Sequence, residues 1–474
     1  MTFGAQASDK VVKSTVYRAA IYNSPMNASV VPLSQTLMMA ARCLADVESG
    51  RALTEALSER ASTNRSAVQA ISTYAMRHWG LATAWRKHVL RKPPADAPLN
   101  SLVALSLLLL DAAMAHADPM AHPASPDTPL YAPHTVVDQS VQAARVLSSG
   151  KGRAGLGGAG LINAVLRRFQ RERDDFMVVT KSNPVAQWNC PAWWLNRLRQ
   201  AYPNHWQSML KASATRAELV LRINPRRTTR EAVVDAFEAQ GWGVTRLSET
   251  ALAVQTVGQI ERLPGYHEGW WSVQDWGAQQ AVPLLPLRDG QRVLDACAAP
   301  GGKTAHILER AKVDLTALDQ DAQRLARVGD NLRRLGLMSK QVHLACADVR
   351  ALDQWWDGQA FDAILADVPC SASGVLRRHP DIAWLRRESD LVKTVALQRQ
   401  ILDTLWTTLA SGGHLLLVTC SVFPEEGEQQ AVQMVQRHHD AIRLDALGQT
   451  LPRACGTDGL PGQDGFFYAL FQKI

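Results

Sequence analysis

The 474-residue sequence predicts a multidomain chain with three parts: an N-terminal all-α bundle, a small α+β linker domain, and a C-terminal α/β domain on a doubly wound, mostly parallel sheet. Three observations predict it. Through the first 115 positions apolar residues recur at helical spacing, with no convincing alternation of period two. From about residue 275 short apolar runs alternate with amphipathic stretches, the pattern of strand, crossover helix, strand. Between these regions lie weaker alternating runs around one helix-like segment. The chain is too long for one core, and the divisions fall at 1–178, 179–274 and 275–474.

Taken in order, residues 1–14 are polar and expected to fray. Helical spacing begins near Val16 and is clearest in Leu33, Leu37, Ala40, Ala41, Leu44 and Val47. Ala67–Val89 and Leu99–Ala117 continue it. Residues 118–134 carry five prolines in seventeen positions, which excludes helix and central strand. His116, His122 and His134 lie in or near this loop without regular spacing or a carboxylate partner, so no metal site is expected. Helix resumes at Thr135. After the glycine-rich stretch Gly150–Gly160 it runs through Leu161–Phe169, where Arg167, Arg168, Arg171 and Arg173 cluster at a helix end. Such guanidiniums can pair with phosphates or simply complement the helix dipole.

Trp188, Trp193, Trp194 and Trp206 predict two short helices around an aromatic cluster. Glu218–Pro225 reads as a strand, Thr229–Gln240 as a threonine-capped helix, and 243–247, 251–256 and 270–274 as weaker strands. An approach helix, Gln279–Leu285, leads into strands at 292–296, 314–319, 341–345, 362–366, 415–419 and 466–471. The helices between them span 303–310, 321–335, 387–410 and 424–437.

Composition narrows the class. Apolar content of 46% and charged content of 20% are those of a globular protein. The longest apolar run, Leu102–Leu110, falls short of the roughly 20 residues of a membrane span, and no secretory h-region opens the chain. No membrane association is expected, and the location expected is cytoplasmic. Seven cysteines, widely spaced and without a CxxC, point to reduced thiols rather than a disulfide framework or zinc. The net charge of +7 is uneven: residues 1–180 hold 19 Lys and Arg against 13 Asp and Glu, the remainder 32 against 31. A polyanion would therefore be held by the N-terminal third, unless the excess is only a solvated surface.

The chemistry-bearing motifs sit at strand ends. The Phe361–Ala366 run ends in Asp367-Val368-Pro369-Cys370, and Leu415–Val418 ends in Thr419-Cys420-Ser421, so two strand ends each present a thiol beside an acid. Upstream, Asp295-Ala296-Cys297-Ala298-Ala299-Pro300-Gly301-Gly302-Lys303-Thr304 has neither the GxGxxG nor the GxxxxGK[ST] spacing, so phosphate is not the implied ligand. Its small residues let a bulky ligand approach the backbone. Asp319 ends the next strand and Asp348 follows the third at the same edge, an acidic setting suited to a cationic nucleoside. A thiol and an acid are the two groups needed to activate carbon 5 of cytosine: thiolate addition at C6 with hydrogen bonding at N3 makes C5 nucleophilic. Spacing alone leaves open which cysteine attacks.

The motifs "DACAAPGGKT" (295–304), "DVPCSASGVLRRHPDIAWLRR" (367–387) and "TCSVFPEEGE" (419–428) resemble those of the RNA 5-methylcytosine methyltransferases. "NAVLRRF" (163–169) is similar to the end of a NusB-like RNA-binding module, and the likeness runs over essentially the whole chain. It implies a Rossmann-like catalytic domain that binds S-adenosylmethionine through Cys297, Ala298, Ala299, Pro300, Gly301, Gly302, Lys303, Asp319, Asp348 and Asp367. It further implies Cys420 as nucleophile, Cys370 as the group that helps release the product, and 16S ribosomal RNA as substrate, naked or in an early small-subunit particle, with a monomeric enzyme. Arg167 and Arg168 would then hold RNA. Arg377, Arg378, His379 and Asp381, in the loop after Cys370, would grip the backbone around an extruded base. The same motifs admit action on transfer RNA, or a non-catalytic RNA-binding assembly factor. Val368 departs from the family's usual alanine, and the proline-rich insertion sits in the helical module.

Overall fold

The structure, a computed structural model, describes residues 31–61, 64–117, 127–148, 153–255, 259–455 and 461–474. The stretch 1–14, the expected helical start at Val16, His122 and most of the proline-rich segment lie outside these residues.

The first part is a helical bundle: Leu33–Glu48, Leu53–Arg60, Arg65–Arg77, Trp79–Val89, Ala97–Ala117, Pro133–Ser148, Arg153–Arg171 and Arg173–Ser182. Its axis is Ala97–Ala117, whose residues 101–110 are all buried. Such a helix, apolar on every face, must be enclosed on every face. The nine-residue run that looked too short to matter therefore belongs to a 21-residue helix long and apolar enough to cross a membrane, most of it buried inside the bundle.

Where two short tryptophan-rich helices are expected there are three, Pro184–Trp188, Ala192–Ala201 and Trp206–Ser213. Proline at 184, 191 and 203 divides them. A four-stranded antiparallel sheet follows, from β1 (Leu219–Ile223), β2 (Gly243–Ser248), β3 (Ala251–Gln255) and β4 (Trp271–Val273), in the order β2-β3-β1-β4. The Thr229 side chain caps its helix, Arg230–Glu238, as the sequence predicts.

The approach helix is two four-residue turns, Trp276–Gln279 and Ala281–Leu284. Beyond them lies a seven-stranded sheet of β5 (Arg292–Ala296), β6 (Asp314–Asp319), β7 (Val342–Cys346), β8 (Phe361–Asp367), β9 (Leu409–Thr419), β10 (Ala441–Thr450) and β11 (Phe466–Lys473). Its order is β10-β11-β9-β8-β5-β6-β7, parallel from β9 to β7 and antiparallel where β11 joins β9 and β10. β10 was not foreseen: it is an edge strand with a broken register near Gly448, and its inward Leu444 and Ala446 are only partly buried. Strand neighbours split between two cores. Val293, Leu365 and Leu416 pack on one face of the sheet, and Leu294, Ile364 and Leu415 on the other.

From β5 the chain builds outward through β6 and β7, then returns to place β8 on the other side. That reversal opens a crevice at the carboxyl ends of β5 and β8, where such sheets hold their ligands.

Candidate active site

Two loops leave the sheet at this crevice. The first follows β5. Cys297 takes φ 62° and Gly301 φ 94°, the left-handed region that favours glycine. A Cβ on Gly301 would stand 3.0 Å from Val328. The loop is pinned from β6: the Ala299 N–H donates to Asp319 Oδ2 and the Asp321 N–H to Oδ1, both at 3.0 Å. Asp319 is 3% exposed, so this acid first of all holds the loop in shape. Asp348 lies past β7 and is clamped by Arg350, which holds its carboxyl below the usual range. Cys297 is half-buried, and its desolvation pushes the thiol upward. It is a protonated wall of the crevice.

Asp295 is wholly buried at the end of β5. Burial pushes its carboxyl from 3.8 up to about 7, against the Thr304 hydroxyl that donates to Oδ2 at 2.6 Å. Oδ1 has no partner. A buried acceptor without a partner, three further acids and a backbone that tolerates no side chain at Gly301 together fit a bulky, cationic, hydrogen-bonding ligand.

The second group follows β8 and β9. These parallel neighbours pair Asp367 with Val418 in register, so the loops after them run side by side. The Cys370 and Cys420 sulphurs are 3.4 Å apart. The hydrogen bond with Cys420, then burial, raises the Cys370 thiol well above its ordinary value. Lys303 Nζ lies 2.7 Å from Asp367 Oδ2. Burial alone would lower the Lys303 ammonium, but attraction to Asp367 and their hydrogen bond outweigh it and Cys420 adds to the pull, so the net shift is upward. A cation therefore stands within electrostatic reach of Cys420.

The other charged residues expected to serve RNA divide. Arg167 is exposed in an open groove of about 870 Å³ between Pro133–Ser148 and Arg153–Arg171, with His134, Arg145 and Asn163 also lining it. Arg168 pairs with Glu172 one turn on, at 2.6 Å. Arg377 and Arg378 require correction as backbone-gripping residues. Arg377 is 1% exposed, and Arg378 spans Asp275 and Asp464 at 2.9 Å each. Asp381 is 4% exposed and accepts the Leu53 N–H of the helical bundle at 2.9 Å. Trp384 and Leu385 follow it into the bundle core. This loop is charged because it is an interface: Arg378 and Asp381 find partners there, while Arg377, among the described residues, donates only to the Arg216 carbonyl, at 3.3 Å.

Sequence reading also missed two residues. Arg222 of β1 is fully buried, binds Glu309 with two nitrogens and donates to the Gly302 carbonyl at 2.7 Å, tying the small sheet to the helix that starts at the first loop. Its one signal was a lone arginine inside an apolar strand. Glu426 is wholly buried between the second pair of loops.

Comparison with known proteins places this arrangement. Residues 282–472 match the family model described as 16S rRNA methyltransferase RsmB/F, and 190–261 match an RsmF/B-like ferredoxin-like domain. The ribosomal RNA small subunit methyltransferase B of Vibrio cholerae is 42% identical over 346 residues, 72% of this chain and 77% of that protein. The protein of the same name from Pectobacterium carotovorum is 41% identical over 72% of this chain and 78% of its own. Among solved structures, PH0851 superposes over 94% of this chain and all of its own with TM-score 0.72 at 22% identity, a likeness of fold. NSun6 from Pyrococcus horikoshii covers 60% of this chain and 98% of its own with TM-score 0.51 at 19% identity. With its cysteine pair, its doubly wound sheet and these relatives, the chain belongs to the RsmB/F family of 16S rRNA methyltransferases.

Proposed function

We propose that this enzyme methylates carbon 5 of a cytosine in 16S ribosomal RNA, with Cys420 as nucleophile. The observation that carries the reading is the pair of thiols 3.4 Å apart at adjacent strand ends, beside the Lys303–Asp367 ion pair. When bound along Cys297–Lys303, Asp319, Asp348 and Asp367, S-adenosylmethionine supplies an electrophilic methyl group.

The chain's own residues do the rest. Cys420, as thiolate, adds to C6 of the cytosine. Asp367, taking a proton from Lys303 Nζ at 2.7 Å, donates it in a hydrogen bond to N3, and the ring nitrogen takes up the electron density displaced by the addition. C5 then has enamine character and accepts the methyl group. A base takes the C5 proton, its C–H electron pair restores the double bond, and the C6–sulphur bond breaks to release Cys420 as thiolate. Cys370 is close enough to assist that release by hydrogen bonding to the departing sulphur.

A base inside a stack cannot reach such a crevice, so the substrate presents an unpaired cytosine, in naked RNA or an early small-subunit particle. Arg167 and its groove hold RNA away from the chemistry, as a NusB-like module over 1–178 would. Residues 179–274 act as the linker and 275–474 as the catalytic part, in a cytoplasmic monomer.

The test uses labelled S-adenosylmethionine and protein-free small-subunit RNA with wild type, Cys420→Ala and Cys370→Ala. Wild type labels C5 of a cytosine, Cys420→Ala transfers nothing, and Cys370→Ala accumulates a covalent protein–RNA adduct. An adduct formed by Cys420→Ala and not by Cys370→Ala would reverse the assignment. Label in transfer RNA alone would replace the substrate.

A further inference from the structure

Both cysteine loops close on one buried acid. Glu426 belongs to the short turn Pro424–Glu426, six residues past Cys420, and is 0% exposed. Its Oε1 accepts the Ser371 N–H at 2.7 Å. Its Oε2 accepts the Ser371 hydroxyl at 2.5 Å and the Ser421 hydroxyl at 2.6 Å. Ser371 and Ser421 are the residues immediately after Cys370 and Cys420. Ser373 extends the link, its hydroxyl 2.9 Å from that of Ser421 and accepting the Val422 N–H at 2.8 Å. Gln398, wholly buried beneath, donates to the Pro369 carbonyl at 2.8 Å. Arg386 donates to the Ser371 carbonyl at 3.1 Å.

We propose that Glu426 is the positioning residue that sets the separation of the two catalytic cysteines, binding the residue after each of them to one carboxylate. This rests on the reading of Cys420 and Cys370 as the working pair. A carboxylate suits the task because it only accepts, and every group facing it from the two loops donates. A glutamine would turn an N–H toward one of those donors. An alanine would leave the Ser371 N–H and two hydroxyls unpaired in a dry site. Glu426 approaches no residue of the cofactor loop in the hydrogen-bond pattern, so its effect should be confined to the sulphurs. The strand pair alone is insufficient to fix them: Cys370 lies three residues and Cys420 two residues beyond the last register pair, Asp367 with Val418.

The test needs a readout independent of RNA. The full-length protein is treated with diamide, a diazene that oxidises two neighbouring thiols to a disulfide and is itself reduced to the hydrazine. Closure of Cys370 with Cys420 is followed by peptide mass. In wild type the sulphurs are already in contact and closure is fast. Glu426→Gln slows it several-fold and Glu426→Ala at least about tenfold, while S-adenosylmethionine affinity stays within about twofold. Steady-state methyl transfer falls in the same order, in kcat rather than KM. Closure rates within twofold of wild type in both variants would overturn the proposal, as would equal loss of cofactor affinity, which marks general unfolding. Unchanged methyl transfer despite slower closure would also overturn it as a device for the reaction. If wild type methylates no RNA, the functional reading fails, while the closure rates still judge Glu426.

Discussion

The two walls of the crevice are built differently. The cofactor wall, Asp295 to Lys303, takes its shape mainly from its own sheet: β6 supplies Asp319 and the Leu318 carbonyl, and one cation, Arg222, reaches in from the small domain. The cysteine wall is braced from everywhere else. The helical bundle meets it at Asp381 and Trp384. The tryptophan-rich helices meet it where Tyr202 Oη donates to the Val422 carbonyl at 2.8 Å and Trp194 packs on Phe423, ring centroids 5.0 Å apart. Arg378 ties it to Asp275 and Asp464. At Gly374 the Gly465 backbone comes so close that a Cβ would meet its carbonyl oxygen at 2.0 Å. A ligand pocket can be made by one layer of a fold, but two sulphurs in register need outside support.

That contrast can be broken by moving one wall without the other. The largest expected effect is on stability at the cofactor wall. Asp295 holds its proton more tightly folded, at about 7, than unfolded, at 3.8. Its contribution is therefore greatest below pH 4 and is lost as pH rises toward 7. Asp295→Asn keeps the Thr304 bond and removes this slope. Relative to wild type it should gain on the order of 2–4 kcal/mol between pH 4 and 7.5, read from denaturation at both pH values. An unchanged slope would mean that Asp295 is ionised in the fold. Next, Asp319→Ala leaves two loop N–H groups without acceptors, at roughly 1–3 kcal/mol, or about 10–100-fold in cofactor affinity. Diamide closure of the cysteines should stay within twofold. A comparable loss in closure would show the walls to be one unit.

The reverse experiment is Asp381→Ala. It frees the Leu53 N–H and should destabilise the chain by about 1–2 kcal/mol, slow cysteine closure several-fold and leave cofactor affinity alone. Weakened cofactor binding by calorimetry would contradict it. The smallest effect belongs to Tyr202→Phe, about 1 kcal/mol from one hydrogen bond with its packing retained. Closure slower by less than about threefold is expected, and no change in urea midpoint would show that the bond to Val422 contributes nothing.

The same contrast explains what could be read from residues alone. Strand, turn and helix of the cofactor wall are contiguous, so "DACAAPGGKT" announces its own geometry, and five of the six strands predicted for the catalytic sheet fall within a few residues of their observed ends, with β9 beginning earlier, at Leu409. The thiols were visible for the same reason, each ending an apolar run. The braces were not. Asp381 and Leu53 are 328 positions apart, and nothing local distinguishes an interface aspartate from one that meets RNA. Arg377 and Arg378 were misread on that account: clustered charge marks either solvent or a paired interface. Glu426 carried no periodic signal, because a polar hub needs only its partners to arrive. The edge strand β10 escaped because its inward residues, Leu444 and Ala446, are only partly buried and its register breaks before Gly448.

The bracing also settles how the molecule may be divided. A chain cut before residue 275 would uncover Leu376, Ala383, Val422 and Phe423, which the residues around Trp194 now cover. It would also uncover Trp384 and Leu385, now seated against the bundle. Apolar ground of that kind, freshly opened beside the reactive thiols, invites self-association. A transplant of the catalytic sheet into another protein must therefore carry Pro184–Ser213 with it, or rebuild that cover from new residues.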